Sequence, residues 1–187
     1  MGNVHYVGAE PLTFERIEEI LTGNMKLELT PEVKERIQRC RDYLDRKIET
    51  QSEPLYGITT GFGSLCNKNI SPDELSTLQE NLVKSHACSV GDEVSPVIVR
   101  LMMLLKAHAL SLGHSGVQVI TVQRILDFFN NDVLPIVYDR VHLGRRATWL
   151  RWRIFSFRLS EWEMCIIKGR RGRQSVFWTS LPGSRCV

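Results

Sequence analysis

The spacing of apolar residues predicts a mainly helical structure from the start of the chain to about residue 139. The clearest helix begins at Thr30-Pro31, where a hydroxyl residue is followed by proline, as the cap and first position of a helix require. Its apolar residues recur at the 3.6-residue period of an amphipathic helix, with charged residues between them. This apolar face consists of Val33, Ile37, Cys40, Leu44 and Ile48.

Further helices are predicted on either side of this one. Ser71-Pro72 begins a helix in which Glu74 completes a capping box. Ser95-Pro96 begins a helix from Val97 to Ala109 that is apolar on every side, so we expect it to be buried between other helices. A helix from about Val119 should end near Asn130-Asn131, before Pro135, and a short helix is expected after Thr13.

The sequence changes character near residue 140. Residues 1–139 hold 13 Lys+Arg and 19 Asp+Glu, a net charge of −6, whereas residues 140–187 hold 11 and 2, a net charge of +9. Ten of those eleven cations are arginine, and all four tryptophans lie in the same tail. The change indicates a separate basic module or a different origin for the tail. Because the tail shows no consistent periodicity, we predict that it is disordered and has no native fold.

Composition narrows the class of protein. A chain of 187 residues can bury a core without disulfides or metals. The five cysteines form no C-x-x-C pair and no cluster with histidine, so neither a disulfide framework nor a metal site is expected. No export signal and no apolar run of membrane-spanning length is present. We therefore expect a cytoplasmic protein with no membrane partner.

A glycine-rich loop lies within residues 54–69. Tyr56 stands at its entry, and Gly57, Gly61 and Gly63 allow the backbone to approach a ligand closely. Phosphate binding is disfavoured, because the Lys-Ser/Thr of a Walker loop is missing. A mobile lid and a plain surface turn both remain compatible with the spacing.

A polar group follows in the next helix. Asn81, Ser85 and His86 lie four and five residues apart, which brings an amide, a hydroxyl and an imidazole to one end of a helix. Histidine changes its charge near neutral pH and suits a reactive site. A solvated helix end would explain the same three residues.

Four motifs together resemble the front part of the histidine ammonia-lyases, a branch of the aromatic amino acid lyases. They are Tyr56-Gly-Ile-Thr-Thr-Gly-Phe-Gly63, Leu78-Gln-Glu-Asn-Leu-Val-Lys-Ser-His-Ala87, Gly113-His-Ser-Gly-Val117 and Asn131-Asp-Val-Leu-Pro135. The resemblance covers residues 1–139. It implies the N-terminal part of an all-helical lyase fold with a small loop-rich N-terminal region, an amino acid as substrate and a homotetramer in the intact family.

The resemblance also implies roles for single residues. Tyr56 corresponds to the base that removes the β-proton, and its phenol pKa must be lowered from about 10 to act at neutral pH. Ser85 and His86 would lie beside the substrate side chain, with His86 selecting the substrate, while Asn81 and Gly63 would help to position it. Two departures stand out, since Thr59 replaces a usual asparagine and Ser89 a usual glycine.

The family makes its electrophile, a methylidene-imidazolone, by cyclising an Ala-Ser-Gly triplet within Gly-Ser-Leu-Gly-Ala-Ser-Gly-Asp-Leu. This sequence contains no Ala-Ser-Gly, and it has Val141-His-Leu-Gly-Arg-Arg-Ala-Thr-Trp149 at the expected place. The codons GGT TCA CTT GGG GCG TCG GGC GAC TTG G, read one base later, encode those nine residues. Family-like codons that follow encode residues 150–157 in the same shifted frame. We therefore interpret residues 140–187 as the product of a frameshift near codon 140.

This interpretation predicts a truncated carbon–nitrogen lyase that is inactive alone, even though its family reaction converts histidine to urocanate in histidine catabolism. The missing helices would leave an apolar face bare, so aggregation is expected and a tetramer is not. Two alternatives are a fragment of a tyrosine or phenylalanine ammonia-lyase, and a tail that binds nucleic acid through its arginines and aromatic residues. Nucleic-acid binding is disfavoured, because the frameshift alone accounts for those residues.

Overall fold

The computed structural model describes residues 4–50, 58–60, 74, 77–78, 81, 89–141, 164–167 and 170–173. Four long helices and seven short strands lie within these ranges, so the predicted mainly helical fold is confirmed. In chain order they are β1 (Val4–Tyr6), α1 (Phe14–Thr22), β2 (Lys26–Glu28), α2 (Pro31–Thr50), β3 (Ser89–Glu93), α3 (Pro96–Ser111), α4 (Val119–Asn130), β4 (Val133–Pro135), β5 (Tyr138–Val141), β6 (Met164–Ile167) and β7 (Arg170–Arg173).

Three of the predicted helix starts lie within the described ranges, at Thr13, Thr30 and Ser95, and a helix begins at each of them. The predicted start at Ser71-Pro72 lies outside the described residues. The Thr13 hydroxyl accepts a hydrogen bond from the Arg16 amide at 3.2 Å and caps α1. The Thr30 hydroxyl accepts one from the Val33 amide at 3.4 Å at the start of α2. Ser95 precedes α3 as predicted, but its hydroxyl makes no capping hydrogen bond. At α3, therefore, the proline and not the hydroxyl supplies the start signal.

The core is formed where α3 and α4 pack against α2 and the two N-terminal strands. The predicted face of α2 points toward it, with Val33 and Ile37 buried and Cys40, Leu44 and Ile48 partly buried. From α4, Val122, Leu126 and Phe129 are buried, at the three- and four-residue spacing of one helix face. The amphipathic period is therefore a faithful guide to which side of these helices faces inward.

The prediction that α3 is buried on all sides is wrong for the chain as it stands. Met103, Leu104 and Ala107 have no exposed surface, whereas Ile98 and Leu105 on the other side are 51% and 39% exposed. Only one side of α3 finds partners among the described elements.

The N-terminal strands β1 and β2 pair in parallel and are fastened to the end of α4. The Asn130 side chain accepts a hydrogen bond from the Leu27 amide at 2.8 Å and donates one to the Leu27 carbonyl at 2.9 Å. A side-chain amide thus pairs with β2 as a neighbouring strand would. This contact joins residues 103 positions apart.

Two tail segments form strands: β6 pairs antiparallel with β4 on one side and with β7 on the other. The remaining residues from 142 to the end of the chain lie outside the described ranges. The proposed boundary at residue 139 and the disorder of the tail therefore stay predictions.

Candidate active site

The strand pair β3–β5 links two segments to which the sequence assigned chemistry. β3 begins at Ser89, three residues after His86, and β5 ends at Val141, where the electrophile-forming segment was expected to begin. Ser89 and Val141 are direct partners in the antiparallel register. The fold therefore pairs Ser89, three positions after His86, with the first residue of the segment in which the sequence analysis expected the electrophile.

A backbone irregularity and a carboxylate fix this strand pair. The register shifts between Val90 and Glu93, and Gly91 adopts φ +102°, a conformation open to glycine. The Asp139 carboxylate accepts a hydrogen bond from the Asp92 amide at 3.0 Å. A Cβ on Gly91 would collide with the same carboxylate oxygen, so the glycine and the aspartate fit each other. Sequence reasoning missed this pairing, because a contact across 47 residues leaves no periodic signal.

Most of the predicted site residues lie outside the described ranges. Tyr56, Gly63, Ser85 and His86 are among them, so their assigned roles stay predictions. Asn81 is described as an exposed residue with helical backbone. Of the glycine-rich loop only residues 58–60 are described, and there Thr60 is fully buried.

The Gly113-His-Ser-Gly motif has a packing role in this structure. Gly113 has φ +73°, and a Cβ there would lie 2.8 Å from the Arg36 Cγ. Gly116 has φ +63°, and a Cβ there would lie 2.6 Å from the Leu44 Cδ2. Both glycines let the turn between α3 and α4 lie against α2. Part of the resemblance therefore reflects packing, not chemistry.

The Asn131-to-Pro135 motif is likewise held by structural contacts. Asp132 has φ +56° and accepts a hydrogen bond from the Arg100 guanidinium at 2.6 Å. That guanidinium lies 4.6 Å from the centre of the Phe129 ring, a favourable cation–π geometry. Arg100 of α3 thus stabilises the turn that leads into β4.

Two charged side chains contact the buried imidazole of His5. The His5 Nδ1 atom is 3.2 Å from a Glu10 carboxylate oxygen and 3.3 Å from the Arg16 Nε, and the His5 side chain has no exposed surface. Burial lowers the pKa of His5, and the Glu10 carboxylate partly opposes that effect. Burial also lowers the pKa of His108 on α3. Since these groups belong to β1, α1 and α3, they contribute to folding more directly than to the candidate site.

The part of the chain that the structure describes contains neither a candidate metal-binding group nor a membrane-spanning helix. Within it, no His, Cys, Asp and Glu side chains gather in a group of three or more that could hold a metal ion. None of its helices has the length and apolar composition that a bilayer crossing demands.

Comparison with known proteins identifies the family. The family model described as aromatic amino acid lyase matches residues 12–146, well over half of the chain. The chain belongs to the aromatic amino acid lyase family.

The curated relatives point to one branch of it. The histidine ammonia-lyase of Natranaerobius thermophilus is 40% identical over 141 residues, which make up 75% of this chain and 27% of that protein. That of Symbiobacterium thermophilum is 38% identical over 133 residues, 71% of this chain and 26% of that protein. The chain thus spans about a quarter of the length of the relatives it matches.

Solved structures agree on the fold. Histidine ammonia-lyase from Trypanosoma cruzi superposes with a TM-score of 0.79 at 24% identity, covering 100% of this chain and 35% of that one. Tyrosine aminomutase from Streptomyces globisporus gives a TM-score of 0.83 at 22% identity, covering 100% and 34%. At these identities the likeness defines the fold and not the substrate.

The electrophile of the family does not fit the residues of this chain. Its precursor is an Ala-Ser-Gly triplet, and no such triplet occurs among the 187 residues. The segment after β5 instead contains arginines at positions 145 and 146.

Proposed function

We propose that this chain represents the front segment of a histidine ammonia-lyase whose intact form releases ammonia from histidine and produces urocanate. The observation that supports this most directly is the 38–40% identity to curated histidine ammonia-lyases over 133 and 141 residues. At that level the match reaches beyond the general fold, unlike the structural likenesses at 12–24%.

The proposed roles follow from the chemistry of the reaction. The β-proton of histidine is weakly acidic, so elimination requires a base beside the β-carbon, and Tyr56 is the proposed base. His86, with Ser85, would contact the substrate side chain and favour histidine over phenylalanine. Asn81 and Gly63 are proposed to help position the substrate. The β3–β5 pair supports the arrangement, because it ties the segment after His86 to the segment after Arg140.

We further propose that the 187-residue chain is inactive alone. The base has no activated substrate to act on when the electron sink is absent. A single-base shift near codon 140 remains the proposed origin of the tail. For the intact parent we propose a cytoplasmic homotetramer that acts on a free amino acid.

The test compares two proteins made from one gene. The chain as given and a product with one base restored near codon 140 are incubated with histidine, tyrosine and phenylalanine, and urocanate and the cinnamate products are followed by ultraviolet absorbance. We expect urocanate from the restored protein only. In the restored protein, Tyr56→Phe should abolish turnover, while His86→Phe should shift preference toward phenylalanine.

Two results would contradict the proposal. Urocanate above the no-enzyme background from the chain as given would refute its inactivity. A restored protein that turns over tyrosine or phenylalanine but not histidine would refute the substrate assignment and leave the family intact.

A further inference from the structure

The imidazole of His5 helps to hold the first described segment of the chain, residues 4–10, against the rest of the domain. This N-terminal segment contains β1, which pairs with β2. The His5 and Val7 side chains have no exposed surface. The Gly8 carbonyl accepts a hydrogen bond from the Arg36 guanidinium of α2 at 2.8 Å. A titratable side chain therefore lies among the contacts that fasten the segment.

The two ring nitrogens of His5 have different surroundings. The Nδ1 atom lies 3.2 Å from a Glu10 carboxylate oxygen and 3.3 Å from the Arg16 Nε, which points a donor at it. The Nε2 atom is buried and has no hydrogen-bond partner among the described residues. His108 of α3 lies close enough for its charge to act on His5, and its Nδ1 atom is likewise buried without a partner in that part of the chain. This arrangement suits a neutral imidazole.

Protonation would disturb the contacts of His5. An imidazolium carries hydrogen on both nitrogens. The Nδ1–H group could donate to the Glu10 carboxylate, but it could no longer accept from Arg16, whose positive charge is adjacent. The Nε2–H group would be a buried donor without an acceptor among the described residues. A buried charge and an unsatisfied donor both favour a state in which the ring reaches water.

The charged groups around His5 come from several elements. Glu10, which follows β1, favours the imidazolium, whereas Arg16 of α1 and His108 of α3 oppose it. Arg36 of α2 acts on His108 in turn. The charged residues of β2 are exposed. Burial has the largest effect and lowers the pKa of His5, so the balance favours the neutral ring in the folded protein.

We propose that His5 is a proton-operated latch: protonation of its imidazole releases the N-terminal segment from the domain while α2, α3 and α4 stay folded. Local release is expected because β1 has three residues and pairs only with β2 among the described strands. The helices keep a core of their own in which α3 packs against α4. The latch does not depend on the proposed lyase reaction, since His5 is not among the candidate site residues.

The test is hydrogen–deuterium exchange of the full 187-residue chain, measured by mass spectrometry at pH 7.5 and 5.5. Exchange of the N-terminal segment is compared with exchange of α4. Each rate is divided by that of an unfolded peptide of the same sequence at the same pH, so that the remaining change reports opening. His5→Gln removes the titrating group. His114→Gln is the matched control, because His114 is an exposed histidine between α3 and α4.

We expect opening of the N-terminal segment to increase several-fold between pH 7.5 and 5.5. The lowered pKa means that the closed state binds a proton more weakly than the open state, so acid favours opening. The increase has a ceiling of about tenfold, because pH 5.5 lies one unit below 6.5, the usual pKa of histidine. Opening of α4 should change by less than about twofold. His5→Gln should remove the increase, and His114→Gln should retain it.

Two further variants test the charges and keep the proposal testable if His5→Gln fails to fold. Arg16→Gln removes a positive charge that opposes the imidazolium, so the increase between the two pH values should be smaller. Glu10→Gln removes a favourable charge, so the increase should approach the ceiling of about tenfold. A purely structural role for either residue would change opening equally at both pH values and leave their ratio unaltered.

Four outcomes would overturn the proposal. The first is an increase below about twofold in the unaltered chain. The second is an equal increase in α4, because acid would then unfold the whole domain. The third is an increase that persists in His5→Gln, because another group would then take up the proton. The fourth is an unchanged ratio in both Arg16→Gln and Glu10→Gln.

Discussion

Replacing Asn130 by alanine should destabilise the fold more than its position at a helix end suggests. Its side-chain amide forms two hydrogen bonds with the backbone of Leu27, at 2.8 and 2.9 Å, and Leu27 is only 1% exposed. Each such bond contributes about 0.5–1.5 kcal/mol, and a buried backbone group left without a partner costs about 1–3 kcal/mol. We expect Asn130→Ala to lower the free energy of unfolding by about 2–3 kcal/mol.

The measurement is urea unfolding followed by circular dichroism, at a protein concentration low enough to keep the chain monomeric. With a urea dependence of about 1–3 kcal/mol per molar, the midpoint should fall by roughly 0.7–3 M. Asn131→Ala is the control, because the Asn131 side chain only donates to the Asp127 carbonyl at an exposed position. It should cost less than about 0.5 kcal/mol. Equal effects of the two variants would refute the idea that Asn130 fastens β2 to α4.

Three other variants or conditions test separate contacts. Burial lowers the pKa of His5 in the folded state, so its contribution to the free energy of unfolding should be fully present above pH 6.5, the usual pKa of histidine, and should be lost as the pH falls through the lowered pKa. In urea titrations at pH 7.5 and 5.5, His5→Gln should reduce the difference in unfolding free energy between the two pH values. An unchanged difference would contradict this prediction. Gly113→Ala should cost about 1–3 kcal/mol, since φ is +73° and a Cβ would meet Arg36; a thermal melt within error of the parent would contradict it. Arg36→Met should lower the melting temperature, because this guanidinium donates to the Ser111 and Gly8 carbonyls at 2.8 Å; equal melts would exclude that role.

Local signals predicted the helices well and the strands poorly. The helix starts at Thr13 and Thr30 depend on capping hydrogen bonds to residues three positions away, so the local sequence is enough to predict them. The β3–β5 pair joins residues about 50 positions apart through strands of four and five residues. Strands that short lack a measurable period, and their pairing is decided by the packing of the helices around them.

The helix α3 shows a second limit of prediction from sequence, which concerns burial. Its apolar pattern predicted burial on every side, but the structure buries only one side, because periodicity shows which residues are apolar and not whether a partner is present to cover them. Asn130 was interpreted only as a helix end, because nothing local reveals its bond to Leu27. Of the candidate site, the sequence motifs identified the family, whereas the roles of Tyr56 and His86 remain predictions.

The central claim is that a lyase chain leaves its reading frame near residue 140, and sequencing the coding DNA across codons 130–160 tests it most directly. The account predicts that the DNA after codon 140, read in the frame one base away, encodes Gly-Ser-Leu-Gly-Ala-Ser-Gly and continues as a lyase. DNA that encodes no lyase-like sequence in any frame beyond this point would contradict it.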